Sequence, residues 1–207
     1  PISIAAGIFA ARRQGKFADR AVVNLGLASS SVPEFVFASL LLSVFAVRFK
    51  IGSVYANVPE GTSLIGQLEY LTLPAMALVF AYFGYIARMT RAGVISGLAA
   101  DYTRTATMKG LEPGTVMRRH VMRNAMAPTI TVISVQIGYL FGGIIGVEKV
   151  FNYAGLGTMI LNGVGKQDVP VVQAAVLMVG IIYMFSTLLA DLFIAYLNPR
   201  LRLAAGS

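Results

Sequence analysis

The sequence predicts an all-α, polytopic transmembrane helical bundle with a helix-turn-helix segment outside the bilayer, and three observations predict it. Of 207 residues, 57% are hydrophobic and only 13% charged, about half the charged share of a soluble globular domain. Several apolar runs reach the roughly 20 residues that a helix rising about 1.5 Å per residue needs to cross a hydrocarbon core of about 30 Å. The charges fall between these runs, and Lys and Arg collect in alternate connections.

Four complete spans are expected, at about 21–47, 71–87, 125–147 and 171–197, with 1–11 as the tail of an earlier one. The second is short and is expected to continue into water beyond Arg88. The sequence starts at Pro1 within an apolar stretch and without Met, so the expectation is an N-terminally truncated single domain, 1–207, with spans missing before it.

Short connections rich in Lys and Arg are retained on the cytoplasmic side. One set of alternate connections holds Arg12, Arg13, Lys16 and Arg20, then Arg88, Arg91, Arg104, Lys109, Arg118, Arg119 and Arg123, then Arg200 and Arg202. The other set holds Arg48, Lys50, Lys149 and Lys166. This asymmetry puts the 88–124 segment and the C-terminus in the cytoplasm, and the connections near Asn57 and Gly157 outside. A net charge of +8 would suggest nucleic acid for a soluble protein, but here the location of the charges matters more than their sum and no nucleic-acid partner is expected.

Segment 88–124 is too long for a turn and rich in helix formers. Asp101 suits the start of one helix and residues 102–109 its body. Gly110 permits a turn, and Pro113 suits the first turn of a second helix ending near Arg123. Such a hairpin is a docking surface for a soluble partner. Ala106 and Gly110 are small enough to let that partner approach the backbone, and Arg104 and Lys109 can pair with its acids. The alternative is that these basic residues only hold the loop inside and touch lipid phosphates.

Catalytic patterns are not met. A phosphate-binding loop needs a Gly-Lys pair followed by Ser or Thr, whereas Gly15-Lys16 precedes Phe17 and Gly165-Lys166 precedes Gln167. With His120 the single histidine and no cysteine, neither a zinc site nor thiol chemistry is expected. No Gly-x-Ser-x-Gly turn occurs. The expectation is a chain without catalytic residues, metal or cofactor.

Glu34 falls about twelve residues into its expected span, near the bilayer midplane, where a carboxylate costs roughly 2.5–3.5 kcal/mol unless it meets water or a partner. It either lines a translocation path or bonds a neighbouring helix. Tyr85 and Gln136 have the same standing with less force, as does Tyr82. Gly138, Gly142 and Gly146 repeat every four residues on one expected helix, a helix-packing signal.

The run Asp101-Tyr102-Thr103-Arg104-Thr105-Ala106, then Lys109-Gly110-Leu111, Arg119-His120, Arg123-Asn124-Ala125 and Pro128 resembles the EAA loop of ABC importer permeases. It is similar to the version in the first permease of dipeptide, oligopeptide and nickel importers. Further matches follow the family's order: Ser31-Val32-Pro33-Glu34-Phe35, Ala87-Arg88-Met89-Thr90-Arg91, Gly155-Leu156-Gly157, Asp168 with Pro170-Val171-Val172-Gln173, and Asn198-Pro199-Arg200. Asp101 stands where Glu is the family's first residue, and Asn198 where Asp is frequent.

The resemblance implies a permease subunit of the bacterial inner membrane that takes up di- or oligopeptides, or alternatively nickel or another small solute. Its partners would be a homologous second permease, two cytoplasmic ATPase subunits and an extracytoplasmic substrate-binding protein. Asp101, Tyr102, Arg104, Thr105, Ala106, Lys109, Gly110, Leu111 and His120 would form the ATPase-coupling loop, and the segment near 152–170 the family's external helix or a short re-entrant connection. A passive membrane scaffold is the competing reading, separated from the first by whether 101–123 binds an ATPase. A membrane enzyme or insertion factor would need more polar groups in the spans.

Overall fold

Proline and glycine set the breaks of this chain. The computed structural model describes residues 1–59, 61–142 and 144–197. Asn198, Pro199, Arg200 and Arg202, which enter the family match and the charge count, lie outside the described residues, as do the surroundings of Gly142. Among the described residues every regular element is helical.

Helix α1 (Ile2–Arg12) turns at Gly15, whose φ of 78° favours a residue without Cβ, into α2 (Phe17–Ser31). Pro33 then stops the helix, because it lacks an N–H and disfavours helical backbone at Val32. Helix α3 (Glu34–Leu41) restarts there and widens into π-type turns over Leu42–Arg48. The two segments are bent by 100°. The stretch expected as one span over 21–47 is thus not one straight helix but two helices meeting at a corner. The depth argument for Glu34 fails with it, since Glu34 is the first residue of α3 and not the twelfth of a straight helix.

Helix α4 (Leu64–Ala99) has 36 residues, about 54 Å at the ordinary rise, and contains the whole 71–87 stretch. After α5 (Asp101–Met108), a helix starts at α6 (Pro113–Thr115), passes through π-type turns over Val116–Val121, and continues without a gap into α7 (Met122–Gly142). The expected helix end near Arg123 is thus corrected. Met122 to Ala127 contains no breaker, and Pro128 is carried inside α7. Conversely, the span expected to reach Val147 stops at Gly142, and α8 (Ile145–Val150) is a separate helix. Helices α9 (Leu156–Gly165) and α10 (Val169–Leu197) complete the described chain.

By length and composition α4 and α10 can each cross a membrane, and α2 with α3 makes a third candidate if the bent pair is one span. The side chains of α10 agree. Leu177, Met184, Phe185, Leu188 and Leu192 are all exposed, an apolar surface that in water would be a liability and in lipid is the rule.

The contacts divide the chain into two compact units, the first comprising 1–28, 83–136 and 184–207, the second 29–82 and 137–183. In the first, Ala11, Val94, Ala106, Val116, Val121 and Ala125 form the core. Small residues let its helices touch: a Cβ on Gly93 would strike the Ala125 carbonyl oxygen, and beside it the buried Thr129 hydroxyl donates to that of Thr90 at 3.3 Å. In the second, Ala38, Leu41, Leu73, Ala77 and Phe151 are buried together, and the rings of Phe37 and Phe80 stack at 3.7 Å. Of the described Lys and Arg residues, only Arg48, Lys50, Lys149 and Lys166 fall in the second unit.

Candidate functional site

In the first unit, α5 is a short helix seated on its own chain. Ala100 precedes it in extended conformation, and Asp101 puts its negative charge in the first turn, where the free N–H groups favour it. Thr103 and Ala106, three apart, face inward. The Thr103 hydroxyl donates to the Gly97 carbonyl at 2.6 Å, and Ala106 is 5% exposed in the core with Val116 and Val121.

The C-terminus of α5 is closed by a Schellman motif. Gly110 takes a φ of 76°, its N–H donates to Thr107 at 3.0 Å, and the Leu111 N–H donates to Ala106 at 3.3 Å. These are the two bonds that end a helix with a left-handed residue. The expected role of Ala106 is therefore corrected, since it is small to fit its own core, while Gly110 makes the turn expected of it and stays exposed.

What remains outward is a mixed face of Arg104, Thr105, Met108, Lys109, Gly110 and Leu111, with Asp101 at its edge. Tyr102, 38% exposed, sets its hydroxyl against Gly97 of α4. His120 is half-buried in the π-type turns against which α5 packs, and its carbonyl accepts the Asn124 side-chain amide at 3.1 Å. Arg123 is exposed, and its Nε donates to the Leu197 carbonyl at 2.8 Å, so a cation closes the end of α10.

The same unit contains an ion pair that sequence reasoning passed over. Arg91 Nε donates to Asp19 Oδ1, Arg91 Nη2 donates to Asp19 Oδ2 at 2.8 Å, and the Gly15 N–H donates to that same oxygen at 2.9 Å. No local pattern pairs the two, because 72 residues separate them.

The three residues expected along a translocation path divide between the units. Half-buried Glu34 opens α3 in the second, while exposed Tyr85 and half-buried Gln136 belong to the first. Gly138 and Gly146 do not share a helix, since α7 ends between them. A Cβ on Gly138 would strike the ring of Tyr183 on α10, and one on Gly146 would come within 2.7 Å of Phe35 on α3, so both glycines serve packing within this chain.

The Gly155-Leu156-Gly157 run owes its composition to Glu148, a second residue the sequence reading missed. Glu148 on α8 is 3% exposed, and its carboxylate accepts the N–H of Gly157 at 3.3 Å and of Thr158 at 2.5 Å. It caps the N-terminus of α9 from another helix. A Cβ on Gly155 would collide with Glu148 Oε1, and one on Gly157 would strike Ile145 Cγ1 at 2.5 Å and come within 3.1 Å of Glu148 Oε2. An acid amid Val147, Val150 and Phe151, followed by two glycines, was the available signal. Beside it a cavity of about 910 Å³ is lined by Tyr153, Met159, Asn162 and Lys166 among others. Asp168 caps the next helix, its Oδ1 accepting the Val171 N–H at 3.3 Å.

Residues 3–203 match the model of the binding-protein-dependent transport system inner membrane component family, and the chain belongs to that family. It is 32% identical over 203 residues to the probable peptide ABC transporter permease protein y4tP of Sinorhizobium fredii, covering 97% of this chain and 64% of that one. It is 36% identical over 200 residues to the glutathione transport system permease protein GsiC of Escherichia coli, covering 96% and 62%. A putative peptide permease protein of Brucella ovis is also 36% identical, over 203 residues, with 97% and 64% covered. The chain therefore spans rather less than two thirds of the length of the curated relatives it matches.

Proposed function

We propose that this chain is a membrane-embedded permease subunit of an ATP-driven importer for peptides or small peptide conjugates of the glutathione class. It works with a homologous second permease, two ATPase subunits and an extracytoplasmic binding protein. The observation that carries the reading is the family match over residues 3–203 together with the names of the relatives, one a glutathione permease and two peptide permeases. The geometry of α5 supports the coupling part. A helix held by the Thr103 bond and closed at Gly110, with Thr103 and Ala106 inward and Arg104, Thr105 and Lys109 outward, transmits a push without bending.

In this reading the chain transmits force and the ATPase subunits hydrolyse ATP. The face centred on Arg104 and Lys109 meets an acidic groove of the ATPase, placing 88–124 and the C-terminus in the cytoplasm. That orientation is supported by the confinement of Arg48, Lys50, Lys149 and Lys166 to the second unit, apart from the other described cations. The α8–α9 hairpin held by Glu148 then lies on the outer side, where a binding protein delivers its cargo.

The test is co-purification of the ATPase subunits with the full-length protein, and ATP-dependent uptake of labelled glutathione and dipeptides into proteoliposomes supplied with the binding protein. Arg104→Glu with Lys109→Glu should lose both, while thermal unfolding in detergent stays as in wild type. Absence of any ATPase from the wild-type preparation would overturn the importer reading in favour of a scaffold.

A further inference from the structure

The geometry points to an anionic phospholipid site in the first unit, in a groove of about 1100 Å³ formed by the start of the α6–α7 helix, the end of α10 and α1. Its rim carries Arg118, Arg119 and Arg123, and its floor Met126, Ile130 and Phe193. The inference does not depend on the transport reading, since it needs only that the chain sits in a membrane.

Local structure gathers the cations. Arg118 and Arg119 stand in the π-type turns over Val116–Val121 and Arg123 at the start of α7, and all three line one groove. Arg123 is fixed by its bond to the Leu197 carbonyl, at the described end of a 29-residue apolar helix.

Three guanidinium groups lining one groove call for an anion. The acid among the groove's lining residues is Glu112, and among the described residues neither Arg118 nor Arg119 makes an ion pair. Phosphodiester oxygens match the guanidinium fork, which donates two parallel hydrogen bonds. A free anion would satisfy this rim and leave the apolar floor wet, with Phe193 53% exposed. An apolar helix would cover the floor and leave the arginines without a counter-charge. An amphiphile with a phosphate head and acyl chains satisfies both at once, and lipids of net negative charge are favoured over zwitterionic ones because the rim carries excess positive charge.

Native mass spectrometry of the full-length protein in detergent, titrated with phosphatidylglycerol, phosphatidylethanolamine and inorganic phosphate, tests this without ATP or transport. Wild type should hold phosphatidylglycerol over phosphatidylethanolamine. Arg118→Gln with Arg119→Gln should weaken phosphatidylglycerol by about 25-fold, at roughly five-fold per cation. Both side chains are exposed, and unchanged thermal unfolding checks the fold. Phe193→Gln should weaken phosphatidylglycerol while leaving a short-chain glycerophosphate ester unaffected. Equal binding of the two lipids, or no change in the arginine variant, would overturn the proposal. So would displacement of the lipid by millimolar phosphate, which marks a plain anion site. Complete displacement by the ATPase subunits, with the arginine variant losing them and keeping lipid, would reassign the rim to protein docking.

Discussion

Arg91 grips Asp19 with two branches of its guanidinium, Nε on Oδ1 and Nη2 on Oδ2. The two partners are not equivalent: the Asp19 side chain is 5% exposed and that of Arg91 26%. Removing the arginine strands a buried carboxylate, whereas removing the aspartate leaves a cation that can reach water. Arg91→Ala should therefore cost about 3 kcal/mol and Asp19→Ala nearer 1. The double variant should be closer to Asp19→Ala than to the sum of the two, and thermal unfolding of the four proteins in detergent measures the cycle.

Glu148 supplies the acceptor for the first N–H groups of α9. Glu148→Ala should cost about 2–3 kcal/mol through the lost charge-assisted bonds and raise hydrogen exchange at Gly157 and Thr158, with Glu148→Gln intermediate. Gly155→Ala should loosen the same amides although its backbone, at φ −99° and ψ −174°, suits any residue, because the added methyl meets the carboxylate. Exchange equal to wild type in both Glu148→Ala and Gly155→Ala would remove the capping account.

Two helical glycines should respond in opposite ways. Gly93→Ala puts a methyl against the Ala125 carbonyl oxygen and should destabilise by about 2 kcal/mol through overpacking. Gly180 has nothing within 4 Å of an added Cβ, so Gly180→Ala should be neutral or stabilising by under about 1 kcal/mol. The melting temperatures of the two variants give the answer, with Gly93→Ala below wild type and Gly180→Ala at or above it.

At Gly110 the cost is conformational. With φ at 76° and open space around a Cβ, Gly110→Ala should destabilise the end of α5 by about 1 kcal/mol. Gly110→Asn should do less, since Asn tolerates the left-handed region. Faster exchange at the Gly110 and Leu111 positions, with the rest of α5 unchanged, is the expected signature.

Composition, apolar run length and the spacing of cations were enough for an all-helical membrane chain, and the residues from Asp101 to Pro128 were enough for the family. These properties are local or additive, so order along the chain carries them. Even the α5 turn was legible, because a left-handed Gly110 and a Pro113 at a helix start are nearest-neighbour chemistry. The corner at Pro33 was written in the sequence too, but hydropathy averaged over it and merged two helices into one span. Tertiary structure decided the rest. Ala106 turned inward because its neighbours in space are Val116 and Val121, Glu148 became a helix cap because α9 begins beside it, and Asp19 found Arg91 across 72 residues. Periodicity and composition describe a segment's preference for apolar surroundings. They carry no information on which distant segment supplies the charge or hydrogen-bond donor that a buried polar group must meet.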